Sequence, residues 1–165
     1  MHYYISDLHI GHSNIIKYST RPFNDYEEMD RHIISNIIPD EFDEKNDVLW
    51  LLGDIFFFSK NNWNKEKALD FFSLLPTFGL IYGNHDNRLN KESINELSNC
   101  IFNGDYKEIT DNKRKVVLCH YPLESWNAAH YDSYMLHGHC HGMLERVMKN
   151  RYDVGCDVIG YKPLT

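Results

Sequence analysis

The sequence has no C-x-x-C pair; its four cysteines, Cys100, Cys119, Cys140 and Cys156, are scattered through the second half of the chain. That spacing excludes a zinc ribbon and argues against a disulfide framework, leaving reduced thiols as the plain reading. Long apolar runs are also missing. The longest, over residues 48–58, is interrupted by Gly53-Asp54 and falls far short of the ~20 residues that cross a bilayer. No cationic leader precedes HYYIS, so the expectation is a soluble, cytoplasmic chain without membrane contact. Basic residues are not in excess either. Against 24 Asp and Glu stand 17 Lys and Arg, and a formal net charge of −7 provides no global field to attract nucleic acid or acidic lipid. With no internal repeat, low-complexity tract or Pro/Gly/Ser-rich linker, 165 residues are expected to form a single domain spanning 1–165.

What is present is enough apolar material to fold: 42% hydrophobic and 14% aromatic residues exclude a disordered composition. Short β-rich runs recur at residues 2–6, 47–53, 77–83, 115–121, 133–138 and 151–158, with a further edge strand at 106–109. Helical patterns lie between the first three. Asp25 with Glu28 resembles a capping box, followed by Met29, Ile33 and Ile37 on one face; Ala68, Phe72 and Leu75 make a second stripe, closed by Pro76. Strand–helix–strand alternation followed by a strand-rich half predicts an α/β layered domain.

Chemically unusual residues fall at the ends of those strands. Asp7 and His9 follow the first run, Asp54 the second and Gly83-Asn84-His85-Asp86 the third; His120 ends the fourth, and Gly138-His139-Cys140-His141 follows the fifth. In open α/β sheets, sites collect beyond the carboxyl ends of strands, so these residues are expected to share one rim. If the backbone there is extended, Asp7 and His9 point to the same side. Each block alone has a bland alternative: a surface loop for Asp7-x-His9, an Asx-turn for Asp54, a polar turn for residues 83–86, a hydrogen-bonded strand-end imidazole for His120. An ionised carboxylate within VLWLLGDIFFF, however, demands a partner.

Together the blocks D-x-H, G-D, G-N-H-D, H and G-H-x-H stand in one order from Asp7 to His141. In this the chain resembles the calcineurin-like metallophosphoesterases, and DVGCDVIGYKPL resembles the last strand of small members. The resemblance implies an α/β, four-layer αββα sandwich of two mixed β-sheets flanked by helices. It implies two divalent metal ions, one held by Asp7, His9, Asp54 and His141, the other by Asp54, Asn84, His120 and His139. Asp54 would then bridge both, which resolves its place in an apolar run. Mixed oxygen and nitrogen ligands without a thiolate suit manganese, taken here as the first expectation, and equally admit iron, zinc or nickel.

The implied activity is hydrolysis of phosphate esters, diesters first (cyclic or linear nucleotides), by a metal-activated hydroxide, with His85 protonating the leaving oxygen and Asp86 orienting its ring. Alternatives are a phosphomonoesterase, a mononuclear hydrolase and, from another class, a non-catalytic metal-binding scaffold; His85 with Asp86 favours the enzyme, since a scaffold needs no leaving-group acid. The expected partner is a small phosphorylated substrate, including a nucleotide or nucleic-acid end. Asn84, His12 and Arg88 are candidate phosphate contacts, with structural or solvated roles as alternatives for His12 and Arg88. Arg21 reads as a helix-flanking ion pair, Phe56, Phe57 and Phe58 as core, Cys119 and Cys140 as packing beside ligands, and His137 as a strand histidine with a backbone partner.

Overall fold

The runs HYYI, VLWL and FGLI are almost continuously apolar because both faces of the sheet they build are covered. They form β1 (His2–Ile5), β2 (Val48–Leu51) and β3 (Phe78–Ile81), which pair in parallel. Side chains alternate between two cores: Tyr3, Ile5, Leu49, Leu51, Phe78 and Leu80 go to one face, and Tyr4, Trp50 and Ile81 to the other. Gly79 is required on the second face, because a Cβ there would lie 2.3 Å from Trp50 Cζ3. The computed structural model describes residues 1–58 and 63–165.

Helices cover the first face. α1 (Ile15–Tyr18) is a single turn, and α2 (Tyr26–Asn36) buries Met29, Ile33 and, just past its end, Ile37. The Asp25 carboxylate accepts from Glu28 N at 2.7 Å, as expected of an N-cap, whereas the Glu28 carboxylate closes on Asn24 rather than Asp25. α3 (Lys65–Leu74), capped by Asn64, packs Ala68 and Phe72 against the sheet, with Leu75 buried beyond. α4 (Lys91–Asn95) leads into β4 (Cys100–Gly104), parallel to β3. This strand was not expected: none of CIFNG is buried, and it shows no alternation.

The second sheet contains β5 (Tyr106–Asp111), β6 (Arg114–Cys119), β7 (Tyr134–His137) and β8 (Arg151–Asp153) in that order. β5 and β6 are an antiparallel hairpin turned by Asn112 and Lys113, both with positive φ as a type I′ turn requires; the other two pairings are parallel. This sheet is mixed, whereas the three pairings of the sheet β1-β2-β3-β4 are parallel throughout. Val116, Leu118 and Val154 meet Tyr4, Trp50, Leu52 and Ile81 between the sheets. On the far side Val117, Cys119 and Met135 are covered by Trp126 and the loop holding a 3-10 turn at Ala129–Tyr131. Helices, two sheets and this thin outer layer give the expected α/β order.

The sheets are stitched together just past β1. Ser6 N donates to Val154 O at 2.9 Å, and Cys156 N donates to Ser6 O at 2.8 Å. The chemistry-bearing residues gather around this seam. Among the described residues, no helix is long and apolar enough to cross a membrane.

Candidate metal centre

Beyond Ile5 and Leu51 the chain leaves the strands but stays paired. Asp7 N donates to Gly53 O, His9 N to Asp54 O and Ile10 N to Ile55 O, each at 2.9 Å. Such pairing forces two loops very close together. Gly53 has φ +93°, and a Cβ on it would lie 2.6 Å from both Gly83 N and His120 Nδ1; a Cβ on Gly83 would lie 2.2 Å from Asp54 Oδ1. The backbone is unusual at the candidate ligands themselves. Asp7, His9, Asp54, His139 and His141 all have left-handed φ, between 48° and 70°. Each such non-glycine residue costs on the order of 1 kcal/mol, and clustered strain of this kind marks functional sites. It also corrects the extended geometry expected of Asp7-x-His9: their side chains do converge, through two left-handed turns rather than strand parity.

Five loops deliver the side chains to one place. Asp7 Oδ1 lies 3.9 Å from both His9 Nε2 and His141 Nε2. Asp54 Oδ2 is 3.5 Å from His120 Nε2, 3.7 Å from His9 Nε2 and 3.9 Å from His85 Nε2. His120 Nε2 is 3.3 Å from Asn84 Oδ1, and the His120 and His139 rings are 5.2 Å apart. Three groups of donor atoms result: Asp7, His9 and His141; His9, Asp54 and His85; Asp54, His120 and His139. Asp54 belongs to two of them.

The residues fit divalent cations. Donors about 2.1 Å from one ion stand roughly 3–3.5 Å from each other, near the spacings seen here and mostly too wide for direct hydrogen bonds. His9 is 2% exposed, yet neither of its ring nitrogens has a hydrogen-bond partner. Two carboxylates, Asp7 at 0% and Asp54 at 2% exposure, are buried beside it. Burial pushes the Asp7 carboxyl up to about 6 and holds His9 well below its ordinary range. Burial also works against ionised Asp54, but His120, the His85 N–H and His9 outweigh it and bring the group down to about 2. Orphaned imidazole nitrogens facing buried carboxylates are the environment a cation relieves.

A second set of residues holds these candidate ligands in place. Asp86, expected to orient the His85 ring, does not: its carboxylate accepts the backbone N–H groups of Asp54 at 2.7 Å, Gly83 at 2.8 Å and Ile55 at 3.1 Å. Those three bonds use both oxygens, so Asp86 braces the turn that presents Asp54. Arg21 forms the expected ion pair, with Asp157 at 3.2 Å, but it is buried rather than a surface flank, and it also donates to Asp7 O at 2.7 Å and Leu8 O at 3.0 Å. Asp157 Oδ2 in turn lies 2.8 Å from His141 Nδ1. Asp30 accepts from Gly11 N at 3.0 Å, and Asp153 accepts from Gly142 N at 2.9 Å, fixing the turns after His9 and His141. Sequence reading did not single out Asp30, Asp153 or Asp157 as site residues; Asp30 lies outside any block, and Asp153 and Asp157 fall in the DVGCDV segment, which reads only as a last strand.

The remaining candidates divide. His12 is buried and stacks on Phe57, with centroids 3.9 Å apart and planes 8° apart, 6.2 Å from the His85 ring. Arg88 is exposed and donates to Phe58 O at 3.0 Å; with Phe57, Phe58, Asn84, His85 and Asn87 it lines a shallow pocket of about 160 Å³. Phe56 is core and half-buried Phe58 packs against that core, whereas Phe57 is half-buried and stacked on His12, so the core reading fails only for Phe57. Tyr121 is exposed and its ring packs 4.8 Å from that of His139. Cys119 packs in the outer core, and His137 Nδ1 lies 2.8 Å from Gly138 O, the backbone partner expected of it.

Comparison with known proteins agrees with this geometry. Residues 3–159 match the calcineurin-like phosphoesterase family profile. An uncharacterised protein of Methanocaldococcus jannaschii is 32% identical over 173 residues, covering 99% of this chain and 85% of that one. The crystal structure of a protein of unknown function from Aquifex aeolicus superposes with a TM-score of 0.71 at 25% identity, covering 99% of this chain and 94% of the other. Profile, fold and clustered metal-ligand groups lead to the same place: the chain belongs to the calcineurin-like phosphoesterases, a family of metal-dependent phosphoester hydrolases.

Proposed function

We propose that this chain hydrolyses phosphate esters, diesters before monoesters, at a centre of two divalent cations, manganese first among them. Asp7, His9, Asp54 and His141 would hold one ion; Asp54, Asn84, His120 and His139 would hold the other. The observation that carries this is Asp54, whose Oδ2 faces His9 Nε2 at 3.7 Å and His120 Nε2 at 3.5 Å, between the two ligand groups.

When bound, the cations would supply Lewis acidity, drawing charge from the phosphoryl oxygens and lowering the pKa of the attacking water. Against their +4 the ligands return −2, from Asp7 and Asp54, so an anion is attracted within a protein of formal charge −7. His85 is half-buried, with Nε2 3.9 Å from Asp54 Oδ2 and its backbone N–H bonded to Asp54 Oδ1 at 2.8 Å. That tether holds the acid at a fixed position beside the shared carboxylate. As the P–O bond breaks, its electron pair stays on the leaving oxygen and His85 supplies the proton.

Diesters are favoured because space adjoins the acid. The pocket of Phe57, Phe58, Asn84, Asn87 and Arg88 beside His85 leaves room for a second ester arm. Arg88 and His12 are the side chains that would meet an anionic or flat group there. A nucleotide or nucleic-acid end is the substrate class this suits. Four free cysteines suit a reducing cytoplasm.

The test is turnover of bis-p-nitrophenyl phosphate and p-nitrophenyl phosphate by manganese-loaded protein. Faster turnover of the diester supports the reading. A preference for the monoester would make it a phosphomonoesterase, and no turnover of either with two ions bound would leave a scaffold.

A further inference from the structure

The two halves of the centre are braced differently. Behind His141 stands a buried ion pair: Asp157 Oδ2 lies 2.8 Å from His141 Nδ1 and 3.2 Å from Arg21 Nε. Arg21 is 4% exposed and spends its other nitrogens on Asp7 O at 2.7 Å and Leu8 O at 3.0 Å, with Met29 Sδ at 3.4 Å. One guanidinium therefore supports the backbone of Asp7 and, through Asp157, the ring of His141. Behind His120 stands only a backbone carbonyl, Leu52 O, at 2.8 Å from Nδ1. His139 is exposed, and its backbone N–H, not its ring, bonds the Asp7 carboxylate at 2.9 Å.

We infer that Asp157, held by Arg21, is a positioning residue for the ion on the Asp7–His9–His141 side and not for the other. This rests on the two-metal reading above. The carboxylate accepts the Nδ1 proton of His141, so that ring presents a free Nε2 lone pair towards Asp7, 3.9 Å away. A carboxylate partner also makes the imidazole a better donor than a carbonyl partner does. The Asp157 interaction is concentrated on one oxygen, since Oδ1 is buried with no hydrogen-bond partner. Arg21 balances the charge, so the pair adds basicity to His141 without adding a net negative charge.

The experiment is calorimetric titration of manganese into metal-stripped wild type, Asp157→Asn and Asp157→Glu, with thermal midpoints measured in parallel. Wild type should take up two ions. Asp157→Asn keeps the size but loses the charge, and should weaken one binding event roughly 10–100-fold, the usual effect of removing such a partner, while the other changes less than about threefold. His141→Ala should abolish that same event. Asp157→Glu retains the charge for Arg21 and stands in should the asparagine variant fail to fold; its displaced carboxylate should weaken the same event. Two events unchanged, or both weakened equally, would overturn the inference and leave the two-metal reading standing. Wild type binding fewer than two ions would overturn the reading itself.

Discussion

The Asp86 carboxylate accepts the backbone N–H of Asp54 at 2.7 Å, so the residue after a candidate acid holds the shared carboxylate's own backbone. The same carboxylate takes Gly83 N and Ile55 N, and Asp86 is 1% exposed. Removing it strands three N–H donors in a buried turn. Asp86→Ala should lower unfolding free energy by about 3 kcal/mol or more in urea titrations, and Asp86→Asn, retaining one acceptor, by less. Were Asp86 only an orienter of His85, stability would be unchanged and only the activity on poor leaving groups would fall.

Gly83 sits where no side chain fits. A Cβ there would lie 2.2 Å from Asp54 Oδ1 and 2.6 Å from Asp54 N, so the carboxylate itself must move. Gly83→Ala must displace both the Asp54 carboxylate and its backbone, and is expected to lose about tenfold or more in manganese affinity by calorimetry. Affinity equal to wild type would mean that Asp54 is not a ligand in its observed position.

His85→Ala should still bind two manganese ions, because the two proposed ligand sets are complete without it. Its rate on diesters with poor leaving groups, such as an alkyl alcohol, should fall about 10²–10⁴-fold, whereas p-nitrophenolate needs little help and should depart nearly as fast. Paired rate measurements check this. A variant that bound only one ion would identify His85 as a ligand instead, through the His9–Asp54–His85 group.

Asp30 gives a pH signature in the metal-free protein. Burial pushes its carboxyl up to about 6 from 3.8, although the Gly11 N–H and the Trp63 indole pull it down. A raised carboxyl favours the protonated fold: the stability it contributes is present below about 3.8 and is lost as pH rises through about 6. Asp30→Asn has no such ionisation. Its stability relative to wild type should therefore rise by about 2 kcal/mol between pH 4 and pH 7 in urea unfolding, and parallel curves would contradict this.

Much of the fold could be read directly. β1, β2 and β3 are buried on two faces and so stand out as apolar runs, and α2 carries its cap and stripe in the sequence. β4 could not, because CIFNG, none of it buried, carries neither alternation nor continuous hydrophobicity, and α1 and α4 are too short for a period. At the site, the strand-end blocks identified which residues meet, through the geometry of open α/β sheets. They did not reveal how Asp7 and His9 meet, since left-handed aspartate and histidine have no compositional mark of the kind glycine provides. The bracing aspartates were hidden for a different reason. Asp30 reads as the polar face of α2 and Asp157 as a loop residue, and only three-dimensional contact joins them to Gly11 and His141.

The central claim is tested most directly by diffraction from crystals grown with manganese, recorded for the anomalous signal of that metal. Two anomalous peaks about 3.5–4 Å apart are expected, with the Asp54 carboxylate between them, Asp7, His9 and His141 around one, and Asn84, His120 and His139 around the other. A single peak, no peak, or two peaks with Asp54 touching neither would contradict it.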